Sequence, residues 1–376
     1  MKNRVAILFI LCLLQVVLVT SPVIAATEKG PRCSDFIDND GDSLIDGDDP
    51  DCIKGKGGQA AYSFKLIAET GSQFTFLSSP AMNNQGDVVF RAGLPGSREG
   101  LFVGGKGKVK ELFSAPQSLS NPSINDQRQV AFDSAGGVFL LADNATKQVI
   151  SGSEYAYPSL NNNGDVAFVR IVNSSQLLVG NGEGPALVLY DNTGVFSGGL
   201  TAPTLNDFGA VAFVAGLGNG QQGVFLGDGT STTNIAETDG SFAGFGGTIP
   251  DVNNDGLVAF FAFQSTGEQG VFTGDGNSTM TFVDSQGPYQ EFRFPNVNAA
   301  GAVLFEAILD GQSSRGLYVG PDPSTDKVVA PGDQLFDSMV VNAFGAGDQA
   351  LNDRGEVVFY AVLADGRGVI VKAKPR

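Results

Sequence analysis

The sequence predicts an all-β fold, a seven-bladed β-propeller, and three observations predict it. One short phrase recurs seven times at intervals close to the length of one four-stranded blade. The strands that follow each copy are apolar on both faces, as strands sandwiched between neighbouring blades are. No stretch shows helical periodicity, while 51 Gly and 28 Phe, with no Trp and no His, point to many tight turns around many packed rings.

At the N-terminus, Lys2 and Arg4 precede an uncharged apolar run from Val5 to Val19, and small residues follow up to Ala25-Ala26. This pattern predicts a secretory signal peptide over residues 1–26, because the run falls short of the roughly 20 residues a membrane-spanning helix needs. Cys12 leaves with the leader, and Cys33 and Cys52 remain for an oxidising compartment to pair. Losing Lys2 and Arg4 also takes the net charge from −17 to −19. Such acidity argues against nucleic acid and against anionic membrane surfaces. It suits divalent cations and solubility outside the cell. No later segment is long and apolar enough to span a membrane. The expectation is a monomer that is secreted, surface-held or periplasmic, with an unknown extracellular protein or glycan as partner.

Residues 33–52 carry eight Asp and no Lys or Arg between the two cysteines. With Asp38 as position one of a twelve-residue loop, Asp40, Asp42, the Leu44 carbonyl, Asp46 and Asp49 fall at positions three, five, seven, nine and twelve. These are the oxygen-ligand positions of an EF-hand calcium loop, with Ile45 as apolar anchor. Ser43 stands where such loops carry Gly, and Asp49 is one methylene shorter than the usual Glu. The segment more closely resembles the Asp-rich calcium loops of thrombospondin type 3 repeats. Hard carboxylate oxygens without His or thiolate favour Ca²⁺ over zinc or copper. Residues 53–63, rich in Gly and Lys, read as a flexible linker, and the propeller is expected over residues 64–376.

The recurring phrase is Asn, two residues, Gly, three residues, Phe. It stands at Asn83/Gly86/Phe90, Asn161/Gly164/Phe168, Asn206/Gly209/Phe213, Asn253/Gly256/Phe260, Asn298/Gly301/Phe305 and Asn352/Gly355/Phe359, and the copy at Asn125/Phe132 has Arg128 in place of Gly. Every Phe is preceded two residues earlier by Val, and the Asn positions lie 42, 36, 45, 47, 45 and 54 residues apart. The Asn can bond its own backbone two residues on and the Gly takes positive φ, so both read as turn residues rather than as ligands lining a channel. A second strand follows, as in Gly100-Leu101-Phe102, Gly223-Val224-Phe225 and Gly316-Leu317-Tyr318. A third follows it, as in Asn234 to Thr238, and a fourth runs through a Pro to the next Asn (Pro122, Pro158, Pro203, Pro250, Pro295).

These copies resemble the tandem NxxGxxxF repeat proteins found among bacterial exported and surface proteins. The resemblance covers residues 64–376, implies a surface or secreted role, and carries over no catalytic residue. Only half a blade follows Asn352, while Ile67-Ala68-Glu69-Thr70 echoes Ile235-Ala236-Glu237-Thr238 from the back half of a repeat. Residues 60–82 are therefore expected to pair beside the last strands and close the ring.

The absence of His excludes His-based triads, no thiol is free for nucleophilic work, and no phosphate loop occurs. The favoured reading is a non-catalytic binding or scaffold protein whose blade loops contact a protein or glycan. The alternative is a calcium-dependent carbohydrate-active enzyme, a glycoside hydrolase or lyase, using loop carboxylates and Arg170, Arg293 or Arg315. Asp228 and Asp275 lie in Gly-Asp-Gly segments, where turn formation accounts for them.

Overall fold

The computed structural model describes residues 62–376 apart from 117, 144, 173–175, 247–248, 346 and 348. The calcium-loop residues Asp38, Asp40, Asp42, Leu44, Asp46 and Asp49, and the framing Cys33 and Cys52, lie outside the described residues. The described residues form strands and turns with no helix. They make seven antiparallel sheets, the blades of a seven-bladed β-propeller.

The fourth blade shows how the repeat builds its sheet. From the channel outward it runs through Phe196–Leu200 with Thr204–Leu205, then Val211–Leu217, Gln222–Gly227 and Thr232–Glu237. Asn206 makes the turn between the first two strands. Its Oδ1 accepts from the Phe208 and Ala210 N–H at 3.1 and 2.9 Å, and its carbonyl accepts from the Gly209 N–H at 3.2 Å. Gly209 has φ +84°, and a Cβ there would meet nothing within 4 Å, so backbone conformation rather than space demands glycine. The turn delivers Val211, Ala212 and Phe213 into a strand with no exposure on either face.

Phe213 faces Phe225 across the strand pair, with ring centroids 5.8 Å apart, and Phe260 and Phe272 stack the same way in the fifth blade. Such cross-strand aromatic pairs are the unit of sheet stabilisation. They also explain the glycine that opens the third strand. A Cβ on Gly223 would lie 2.5 Å from the Phe225 ring, and one on Gly316 would lie 2.7 Å from the Tyr318 hydroxyl. The aromatic two residues on covers the glycine.

The ring closes through the first part of the segment expected to close it. Phe76–Leu77 and Ala81–Met82, expected beside the last strands as well, pair instead with Val88–Leu94 as the innermost strands of the first blade, the position their own Asn83 turn dictates. Tyr62–Glu69 pairs antiparallel with Gly368–Pro375, from Tyr62 opposite Pro375 to Glu69 opposite Val369, with a one-residue register shift between Leu66 and Ala68. It is the outermost strand of a blade whose inner strands, Ser338–Phe344 and Val357–Leu363, come from the other end of the chain. The strand begins at Tyr62, just before the boundary expected at residue 64. Ile67–Glu69 thus occupies the same outermost position as Ile235–Glu237 in the fourth blade.

Candidate functional site

Because the innermost strands all run the same way, the channel has two different ends. At one end lie the Asn turns. Each repeat Asn donates its Nδ2 to the main-chain carbonyl of the next blade's Asn: Asn83 to Asn125, Asn125 to Asn161, then Asn206, Asn253, Asn298 and Asn352, and Asn352 back to Asn83, at 3.0 to 3.4 Å. With Oδ1 capping its own turn and Nδ2 spanning to the neighbour, each buried Asn is fully engaged. The seven close a hydrogen-bonded ring, a structural role that the turn chemistry alone did not reveal.

The following residue adds a second layer. Asn84, Asp126, Asn162 and Asp207 each donate a backbone N–H to the side chain of the next, Asp207 to Asn254 and Asp353 back to Asn84. Ala299 offers no side-chain acceptor in this series, yet its own N–H reaches Asp353 at 2.9 Å. The pocket these residues enclose is small, about 150 Å³. Its carboxylates are occupied by backbone and Asn donors, and among the described residues no cluster of three or more His, Cys, Asp or Glu is arranged to hold a metal ion.

Gln349 divides the channel. From the seventh blade its Oε1 accepts from the Ile124 N–H at 2.7 Å and the Ser123 hydroxyl at 3.2 Å, while its Nε2 reaches the Leu160 carbonyl. One side chain thereby ties three blades across the axis, and it lines the pockets on both sides.

Beyond Gln349 the channel opens into a cavity of about 590 Å³ at the end that carries the blade-to-blade connections. Its wall, among the described residues, includes Arg91, Arg293 and Arg315, with Glu306 as the one carboxylate, and the aromatic residues Tyr157, Phe294 and Phe344. Two of these aromatics have unusual backbones. Tyr157 and Phe294 adopt φ of +59° and +46°, although each precedes a proline, which normally holds the preceding residue extended. Both sit at irregularities in strand pairing, between Ala156 and Ser159 and between Arg293 and Asn296. A bulky residue in this region costs on the order of 1–3 kcal/mol and persists only where its surroundings impose it. Asp133 helps to impose it on Tyr157, accepting that residue's N–H at 3.1 Å. Burial pushes the Asp133 carboxyl up from its ordinary value, against hydrogen bonds from Ser120 and Tyr157 and the charge of Arg91. Despite the strain, Tyr157 is 55% exposed.

The arginines differ in how they are held. Arg91 donates to the Leu119 carbonyl at 2.6 Å and pairs with Glu99 at 3.4 Å, and its guanidinium lies over Phe76. Arg315 pairs with Glu291 at 2.7 Å. Both leave a buried Nε without a partner. Arg293 is exposed. Of the arginines singled out from the sequence, the fold brings Arg293 and Arg315 into one cavity and leaves Arg170 outside its wall; Arg91 was missed, lying within a strand that reads only as core. Asp228 and Asp275 are turn residues, as expected: Asp228 accepts from the Ser231 and Thr230 N–H groups, which hold its carboxyl far below the ordinary range, and Asp275 from Ser278 and Asn277.

A family model described as a family of unknown function (DUF7453) matches residues 142–365, more than half of the chain. No curated protein sequence matches it. Among solved structures, an oligogalacturonate lyase in complex with manganese is similar at TM-score 0.55 and 10% identity, covering 85% of this chain and 99% of that one. An oligogalacturonate lyase from Vibrio parahaemolyticus is similar at TM-score 0.54 and 11% identity, covering 84% and 98%. The extracellular domain of a one-component system from B. thetaiotaomicron reaches TM-score 0.50 at 10% identity, covering 82% of this chain and 40% of that one. At these identities the likeness establishes the propeller fold. Among the described residues no helix is long and apolar enough to cross a membrane.

Proposed function

We propose that this chain, which belongs to the family of unknown function DUF7453, is an exported, non-catalytic binding protein that takes an extracellular glycan in the cavity above Gln349. The observation that carries the reading is Tyr157: the fold sustains a strained backbone there and leaves the ring exposed at a cavity wall instead of burying it. Core packing gives no reason for that combination, whereas a sugar stacking on an aromatic face does. Phe294 on the sixth blade repeats the backbone conformation at the same wall, with its ring half-buried. The similarity of the fold to oligogalacturonate lyases is compatible with a saccharide ligand. The lack of His in the chain and the turn roles of Asp228 and Asp275 favour binding over turnover.

The Asp38 to Asp49 loop belongs to the same reading, as a Ca²⁺ site whose carboxylates repel one another until a cation neutralises them. Calorimetry should show calcium uptake that is lost on Asp38→Ala with Asp40→Ala; full uptake by that double variant would remove the site. For the cavity, the purified chain is exposed to an array of extracellular polysaccharides and read for both capture and product release. Capture without products is expected, and Tyr157→Ala should lose the capture while keeping its melting temperature. Product release abolished by a loop Asp substitution would show an enzyme instead.

A further inference from the structure

We infer that the cavity is built for a saccharide bearing a carboxylate, and that Arg293 anchors that group; this rests on the glycan reading above and specifies its ligand class. The chain as a whole is strongly acidic, at −17, yet among the described residues the cavity wall carries three arginines and one carboxylate, Glu306. Glu99 and Glu291 pair with Arg91 and Arg315, so the charge the cavity offers to a ligand is that of Arg293.

Arg293 is the distinctive member. Arg91 and Arg315 each have a glutamate behind them, Glu99 and Glu291. Arg293 is exposed at the cavity, with no hydrogen bond or ion pair to any described residue. It stands immediately before the left-handed Phe294 and at the pairing irregularity that ends at Asn296, and both residues line the same cavity. A guanidinium presents a planar fork that matches a carboxylate with two parallel hydrogen bonds, and the neighbouring ring offers an apolar face for the sugar. Asn342 on the same wall supplies an amide for hydroxyl groups; its Oδ1 already accepts from the Arg315 N–H at 2.9 Å, which leaves its amide hydrogens as donors. A polyphosphate or a nucleic acid would meet the same cavity, but also the repulsion of the remaining acidic surface. A short oligosaccharide with spaced single charges keeps the local attraction at the smallest global cost.

The test is titration calorimetry of the full chain with trigalacturonate and with its fully methyl-esterified form, which has the same sugar backbone without the charge. The acid should bind at least tenfold more tightly than the ester, and more weakly as salt is raised. Arg293→Gln should remove that preference, weakening the acid to the level of the ester with ester affinity and melting temperature unchanged. Arg293→Lys, which keeps charge but not the fork, should recover only part of it. Equal affinity for acid and ester, or an unaltered preference in Arg293→Gln, would overturn the carboxylate inference and leave the glycan reading standing. Failure of both probes to bind, with the chain folded, would overturn the inference and the reading together.

Discussion

Arg128 occupies the one repeat position where the other six copies have glycine, and it adopts φ +64° there. A residue with a Cβ loses about 1–2 kcal/mol in that conformation. The return is a fork to the first blade: Nε and Nη2 donate to the two oxygens of Asp87 at 2.8 and 2.9 Å, with Lys106 at 3.3 Å. Burial alone would raise the Asp87 carboxyl, but the hydrogen bonds and charge of Arg128, then of Lys106, outweigh it and hold the group below its ordinary range. A lowered folded value means that the stabilisation is in place above the ordinary carboxylate range and is lost as pH falls through the folded value. Arg128→Gly therefore relieves strain but strands a buried carboxylate. A net loss of about 1 kcal/mol is expected in denaturant titrations at neutral pH, since the arginine is partly exposed. In an Asp87→Asn background the same substitution should become stabilising by about 1 kcal/mol, with a flatter acid limb. If Arg128→Gly stabilises the unaltered chain, the ion pair carries no weight against the strain.

Among the elements, the closing strand was legible because Ile67-Ala68-Glu69 repeats Ile235-Ala236-Glu237, and sequence echo at a fixed position in the repeat translates directly into strand position. The two aromatic bulges were not. Tyr157 and Phe294 read as ordinary β residues before proline, and the pre-proline rule predicts extended backbone at both; only contacts from other blades, such as Asp133 to Tyr157, override it. The hydrogen-bonded Asn ring was half legible. Spacing within one copy identifies the turn, but each inter-blade bond joins residues tens of positions apart and exists only once the ring is closed. Closure is testable at this scale. Tyr62, Ile67 and Ala68 are buried on the outer strand, so deleting residues 62–69 should cost about 5 kcal/mol at roughly 1.5–3 kcal/mol for each large apolar side chain. The truncated chain should also associate through the bared edge of Gly368–Pro375. A truncation that stays monomeric with an unchanged melting temperature would show that the strand does not close the ring.

For the molecule as a whole, the division of the channel sets the expectation for function. The Asn end is spent on holding the blades together, Gln349 separates it from the other side, and the opposite end keeps the larger cavity, the exposed Tyr157 and the exposed Arg293. Binding and stability are thus assigned to different ends of one channel. Hydrogen exchange of the full chain with and without trigalacturonate measures that assignment directly. Slowed exchange is predicted on the innermost segments beside the cavity, around 79–81, 120–123, 155–158, 291–294 and 342–345, with the Asn turns at 83–87 and 206–210 unchanged. Protection concentrated on the Asn turns, or on the blades' outer strands with the cavity segments unaffected, would contradict the account.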